Sequence, residues 1–230
     1  MKIGILQSGH LPEAMRETLG DYSEMYQALL AGQGLEFTTY NVCDMEFPQS
    51  ATSEDGWLIS GSRHGAYDDL PFIARLEDLI REAHAAGVPM VGICFGHQII
   101  AQALGGKVEK FAGGWAVGPQ VYEFGDTPLT LNAWHQDQVT DLPPGATPIA
   151  THPFCANAGF VLGDHILTVQ PHPEFDDAAV ASLVDQRGRG LIPDDLLAET
   201  MGRLGSRNDN QEMADRIGRF FREARHDALA

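Results

Sequence analysis

Val91-Gly92-Ile93-Cys94-Phe95-Gly96-His97-Gln98 is the stretch on which the fold turns. The apolar run from Val88 to Ile93 predicts a buried strand, and Gln98 to Leu104 predicts a helix. Between them stands Cys94, with Gly92 two positions before it and Gly96 two after. This is the glycine–x–nucleophile–x–glycine spacing of a sharp strand-to-helix turn. A nucleophile there sits in a strained backbone conformation and needs small neighbours. Its side chain is presented at the carboxyl edge of the sheet, where open α/β sheets bind ligands. The helix amino terminus beneath the sulfur helps to carry a thiolate's charge, and the Phe95 N–H faces the same space, where it can hold an oxyanion. A lone cysteine is more often simply buried. The flanking glycines and the junction set Cys94 apart, whereas Cys43 and Cys155 have no such setting.

Working outward, short apolar runs alternate with helical patterns. Lys2 to Leu6 predicts a buried strand and Glu13 to Ala31 a helix closed by Gly32 and Gly34. Leu35 to Tyr40 and Trp57 to Ser60 predict strands, and Phe72 to Ala86 a helix with Ile73, Leu76, Leu79, Ile80 and Ala83 on one face and Gly87 as its stop. Repeated β-α-β order implies a parallel sheet with helices on both faces, an α/β fold. From Lys107 the texture changes to short strand-like pieces separated by Gly and Pro: Gln120 to Phe124, Leu129 to Leu131, Thr147 to Thr151, Gly159 to Leu162 and Ile166 to Val169. These predict antiparallel strands attached to the main sheet. Residues 176–230 read as helical, with a break at Asn208-Asp209 before an amphipathic helix carrying Ile217, Phe220 and Phe221. The expected organisation is a single domain over residues 1–230.

Composition narrows the chemistry. With 230 residues, 43% of them hydrophobic, the chain can bury a core without disulfides or metal. Three cysteines with no C-x-x-C pair signal neither a zinc site nor a dithiol redox site. A net charge of −17 argues against nucleic acid and anionic membrane as partners. No run is long enough for a signal peptide's apolar core or a membrane span, so the expectation is a cytoplasmic protein. There is neither a P-loop nor a G-x-G-x-x-G fingerprint, and no cofactor or metal is expected.

A thiol nucleophile needs a base, and the base needs an orienting acceptor. Of the nine histidines, His172 has the best setting. It follows the strand-like run ending at Gln170, in Gln170-Pro171-His172-Pro173-Glu174-Phe175, so it sits at a strand end as Cys94 does. Glu174 lies two residues on, and in extended backbone the two side chains lean the same way. Pro171 and Pro173 stiffen the stretch. His152-Pro153 lacks the carboxylate, and His135 in Trp134-His135-Gln136-Asp137 suits a pocket wall better than a base.

Gly92-Ile93-Cys94-Phe95-Gly96-His97-Gln98 together with Pro171-His172-Pro173-Glu174 resembles the class I glutamine amidotransferases, above all the amidotransferase domain of GMP synthetase and its stand-alone relatives. The resemblance runs from the first strand to about Phe175. It implies a flavodoxin-like three-layer α/β/α fold and a glutaminase triad of Cys94, His172 and Glu174. It also implies a second oxyanion donor from the backbone of Gly61 or Ser62, beside that of Phe95. Family members hold the substrate with the residue matching Gln98, and the stretch matching His135, Gln136 and Asp137 contacts the amino-acid end of glutamine. Phe111 to Gly118 matches the connection into the added strands. Two departures stand out. Ser62-Arg63 stands where a Gly-Pro pair is usual, so the loop Arg63 to Asp69 is expected to be a specificity element that does not transfer from the family, and residues 176–230, read as helical, are not expected to form a synthetase domain. The implied substrate is a small molecule, glutamine or another γ-glutamyl compound. The alternatives are a glutaminase subunit feeding ammonia to a separate synthetase, a free-standing γ-glutamyl peptidase acting on glutathione-like molecules, and a non-catalytic flavodoxin-like module.

Overall fold

The computed structural model describes the backbone of residues 1–227 and the side chains through residue 224. The chain opens with β1 (Lys2–Leu6), α1 (Glu13–Leu19), α2 (Tyr22–Leu29), β2 (Glu36–Tyr40), β3 (Gly56–Ile59), α3 (Pro71–Ala85), β4 (Met90–Ile93) and α4 (Phe95–Ala103). A strand-rich stretch follows: β5 (Lys107–Lys110), β6 (Ala116–Phe124), β7 (Thr127–His135), β8 (Asp137–Asp141), β9 (Thr147–His152), β10 (Cys155–Leu162) and β11 (Ile166–Val169). It closes with α5 (Asp177–Leu183), a π-helical turn at Val184–Gly188, α6 (Asp194–Arg203) and α7 (Asn210–Asp227).

One nine-stranded sheet runs in the order β2-β1-β3-β4-β11-β10-β9-β6-β7. Its half from β2 to β11 is parallel, and β10, β9, β6 and β7 continue it antiparallel. Every residue of β3, β4 and β11 is buried, as a strand covered on both faces requires. Alternation along these strands feeds two separate cores. Leu58, Val91, Ile93, Leu167 and Val169 pack with Met15, Tyr26, Val180, Ile217 and Phe221, from α1, α2, α5 and α7. Trp57, Ile59, Met90 and Ile166 pack on the other face with Phe72, Leu76, Ile80, Ile99 and Ile100, from α3 and α4. The result is a three-layer α/β/α architecture of flavodoxin-like type. β1 pairs with β2 on one side and β3 on the other, so the strand order reverses there and opens a crevice at the carboxyl edge. Among the described residues no helix is long and apolar enough to cross a membrane.

Three elements differ from the reading of the sequence. The helix expected over Glu13 to Ala31 is two helices. Gly20 takes φ 79°, and Asp21 opens α2 in a capping box with Glu24, so a fresh amino terminus interrupts the apolar period. Ile166 to Val169 is not an added antiparallel strand. It lies parallel to β4 in the middle of the sheet, Val169 opposite Ile93, and only its other edge meets an antiparallel neighbour. The pairing of β5 with β8 is a small separate sheet whose short, half-exposed strands left no alternating signal.

Candidate active site

Cys94 follows β4 with φ 53° and ψ −102°, in a region that side-chain-bearing residues rarely enter. It is held there from both sides: its N–H donates to Val169 O at 2.9 Å, and its carbonyl accepts from Gln98 N at 3.0 Å, the first turn of α4. The flanking glycines are a steric necessity. A Cβ on Gly92 would stand 2.5 Å from Gly96 O, and one on Gly96 would overlap the carbonyl oxygen of Ile59 in β3. The elbow is thus wedged between two strands and a helix.

His172 and Glu174 come from the segment after β11. The His172 N–H donates to Asn132 O at 2.8 Å, and the ring stacks on Phe175 with centroids 4.2 Å apart and planes 9° from parallel. Its Nδ1 meets Glu174 Oε1 at 2.6 Å, with both side chains buried. The ring is also hydrogen-bonded to the Cys94 thiol, so sulfur, imidazole and carboxylate lie in series. Burial alone would lower the His172 pKa. The charges of Cys94 and Glu174 and the hydrogen bonds to both outweigh it and raise the pKa to about 10. The net shift favours the protonated imidazole beside the sulfur.

Tyr26, on α2, was not singled out in the sequence. Its hydroxyl donates to Glu174 Oε1 at 2.8 Å and accepts from Gly61 N–H at 3.3 Å. A fully buried tyrosine on an amphipathic helix must find a polar partner, and that need was the available signal. The consequence for the loop after β3 is specific. The Gly61 N–H is turned to Tyr26 rather than toward the sulfur, which leaves Ser62 of that pair facing the cavity. Gly61 also packs so closely on the imidazole that a Cβ there would lie 2.9 Å from His172 Cε1.

A cavity of about 310 Å³ opens above Cys94 and His172. Gln98, His135, Gln136 and Asp137 all line it. The Gln98 amide donates to Asp137 O at 2.9 Å and to Gln170 Oε1 at 3.1 Å, so its free group is the carbonyl oxygen. Burial, and then the charge of His172, lowers the His135 pKa to about 3. His135 is thus neutral, with Nδ1 at 3.2 Å from Asp137 O and a buried, unpartnered Nε2. Asp137 is hydrogen-bonded to the Tyr67 hydroxyl and faces Lys110, and burial nevertheless raises its pKa. Tyr22, Arg63, Lys110, Trp115, Trp134 and Arg187 complete much of the wall. The remaining thiols are distant in character. Burial raises Cys43 to about 11 and Cys155 to about 12, so both stay protonated. His97, buried and bonded to Thr168 Oγ1 at 2.8 Å, ties α4 to β11.

A thiol at a strand–helix elbow, paired with a buried histidine and carboxylate on a flavodoxin-like sheet, defines a cysteine-dependent amidohydrolase. The chain belongs to the class I glutamine amidotransferases, whose family description matches residues 19–180. It is 32% identical over 190 residues to "Gamma-glutamyl peptidase 4" of Arabidopsis thaliana, covering 76% of each chain. It is 30% identical over 181 residues to a glutamine-hydrolysing GMP synthase of Thermomicrobium roseum, 71% of this chain but 32% of that protein. Its fold matches the crystal structure of a glutamine amidotransferase from Methylobacillus flagellatus with a TM-score of 0.75, 23% identity and 97% and 92% coverage.

Proposed function

We propose that this protein hydrolyses a γ-glutamyl amide through a thioester on Cys94, with His172 as acid and base and Glu174 as its orienting carboxylate, residues 1–230 acting as one catalytic unit. The observation that carries the reading is the buried His172–Glu174 pair, 2.6 Å apart, set against a cysteine held at positive φ. The thiolate attacks the γ-carbonyl carbon, and the oxygen takes the charge beside the N–H groups of Phe95 and Ser62. The carbonyl re-forms, the C–N bond breaks, and the imidazolium gives its proton to the leaving nitrogen. Sulfur is then uncharged in the thioester, so the main support of the raised His172 pKa is gone. The neutral imidazole can take a proton from water, whose oxygen attacks the thioester carbon. Collapse releases the γ-carboxylate and returns the proton and thiolate to their starting pair. Gln98, His135 and Asp137 line the wall that would take the glutamyl end.

The test is Cys94→Ala against wild type on glutamine, γ-glutamyl-p-nitroanilide and glutathione, with mass spectrometry after a glutamine-mimicking electrophile. A single adduct on Cys94 and loss of turnover in the alanine variant are expected. Retained turnover refutes the reading. Kinship with GMP synthases favours a second arrangement, in which this chain feeds ammonia to a separate synthetase. Weak glutaminase activity that rises when such a partner is added supports it. Either arrangement works in the cytosol, where thiols stay reduced and glutamine and γ-glutamyl compounds are found.

A further inference from the structure

The cavity wall carries two separate charged clusters, and the proposed chemistry explains one of them. Lys110 and Asp137 are cross-strand partners of the β5–β8 sheet, so an ammonium and a carboxylate stand side by side. That arrangement matches a glutamyl group, which carries one carboxylate and one ammonium at its α-carbon. The second cluster is Arg63, from the loop after β3, and Arg187, from the π-helical turn before α6. π-Turns are often found at functional sites. Arg187 is half-buried, its Nη2 donates to His10 O at 2.8 Å, and it lines the cavity together with Tyr22. The two guanidiniums lie near enough to repel, Arg63 Nε donates to His64 Nε2 at 3.4 Å, and burial and then Arg63 lower the His64 pKa.

Among the described residues, Arg81, Arg189, Arg203, Arg207 and Arg216 form ion pairs, while Arg75 and Arg222 find an aromatic ring and Gln33, respectively, away from the cavity. Among the described residues no carboxylate oxygen lies within 4.0 Å of a nitrogen of Arg63 or Arg187, although Asp21 contributes a more distant attraction to Arg187. What sets Arg63 and Arg187 apart is that two mutually repelling cations line one cavity beside Cys94 in a chain of net charge −17. Ammonia, the leaving group from glutamine, offers them nothing. The electrostatics also keep the clusters apart: Asp137 responds to Lys110 and Asp68, and Arg187 to Arg63 and Asp21.

Resting on the γ-glutamyl hydrolase reading, we infer that Arg63 and Arg187 form a carboxylate subsite on the leaving-group side. The preferred substrate is then a γ-glutamyl amino acid or short γ-glutamyl peptide whose released portion ends in a free carboxylate. Two planar guanidiniums suit a carboxylate better than a single flexible ammonium does.

The experiment compares γ-glutamyl-alanine, γ-glutamyl-alaninamide and glutamine on wild type, Arg63→Gln and Arg187→Gln. The first two substrates share scissile bond and shape and differ in one charge. A hydrogen-bonded charge contact of this kind corresponds to a preference of about 10- to 100-fold in kcat/KM for the free carboxylate. Both variants should lose most of that preference, with the alaninamide rate kept. Arg63 is exposed, so its variant keeps the test open if loss of the Arg187–His10 contact disturbs folding. Equal rates on the two substrates in wild type, or variants that lose both rates in proportion, overturn the subsite and leave the hydrolase reading standing. No turnover of any of the three by wild type overturns both.

Discussion

Replacing Tyr26 with Phe removes one oxygen and tests how the site is held. That oxygen is buried, donates to the Glu174 carboxylate at 2.8 Å and accepts the Gly61 N–H at 3.3 Å. Losing a hydrogen bond to a charged acceptor and stranding a buried N–H together cost about 3 kcal/mol, since each is worth roughly 1–3. For a chain of this size that lowers Tm by about 6–12 °C. Glu174 Oε2 already has no partner, so Oε1 is left with the imidazole alone and the pair can drift. Small misplacements of a catalytic group cost up to about 100-fold, so kcat should fall by about 10- to 100-fold. Tyr26 does not line the cavity, so KM should hardly move. Thermal melts and steady-state kinetics on γ-glutamyl-p-nitroanilide measure both. A phenylalanine variant as stable as wild type would show that the contact is not a support. One that loses stability at full kcat would show that Tyr26 holds the fold and not the imidazole.

Glu174→Gln keeps a hydrogen-bond acceptor but removes a charge that raises His172. In the proposed mechanism the protonated imidazole is the active form, and it is lost as pH rises through about 10. The alkaline limb of kcat/KM should therefore move down by about 1–3 pH units, and an unmoved limb would exclude Glu174 as its cause. Cys94→Gly should be more stable than Cys94→Ala by about 1 kcal/mol, because relief of the φ 53° strain exceeds glycine's entropy cost; denaturant melts giving the opposite order would argue against strain. His10 bridges Asp21 and Asp44, which raise its pKa despite opposing burial. Its contribution to stability is then full below its unfolded value near 6.5 and fades as pH rises through the higher folded value. The stability gap between wild type and His10→Gln should narrow from pH 6 to pH 9, and a constant gap would show that the charge does not matter.

The legible parts of the site were those fixed by local backbone demands. Gly92 and Gly96 announce the elbow by their spacing around Cys94: a Cβ on Gly92 collides with backbone four residues on, while one on Gly96 collides with Ile59 of the neighbouring strand, a contact the letters alone do not show. His172 and Glu174 announce themselves because a two-residue spacing in stiff, extended chain sets their distance. Tyr26, Arg63 and Arg187 could not be placed the same way. Their meaning comes from partners far along the chain, as with Tyr26 and Glu174, 148 residues apart. The same contrast holds for the fold. Buried strands and helix faces were visible as periodicities, but whether Ile166 to Val169 runs parallel or antiparallel depends on which strand it meets. The split of α1 from α2 is a different case. Asp21 with Glu24 is a capping signature present in the letters, overridden by a longer apolar period.

β11 is the last strand made, yet it fills the gap between β4 and β10. During synthesis the thiol emerges more than seventy residues before its proton partner, beside an unfilled slot in the sheet. Until that slot is filled, the elbow lacks the Val169 carbonyl that anchors the Cys94 N–H, and the nascent cysteine is an ordinary one. Reactivity should thus arise late and all at once. Ribosome-stalled chains ending before residue 166 should resist the glutamine-mimicking electrophile, and labelling of such chains would show that the nucleophile matures without its neighbouring strand.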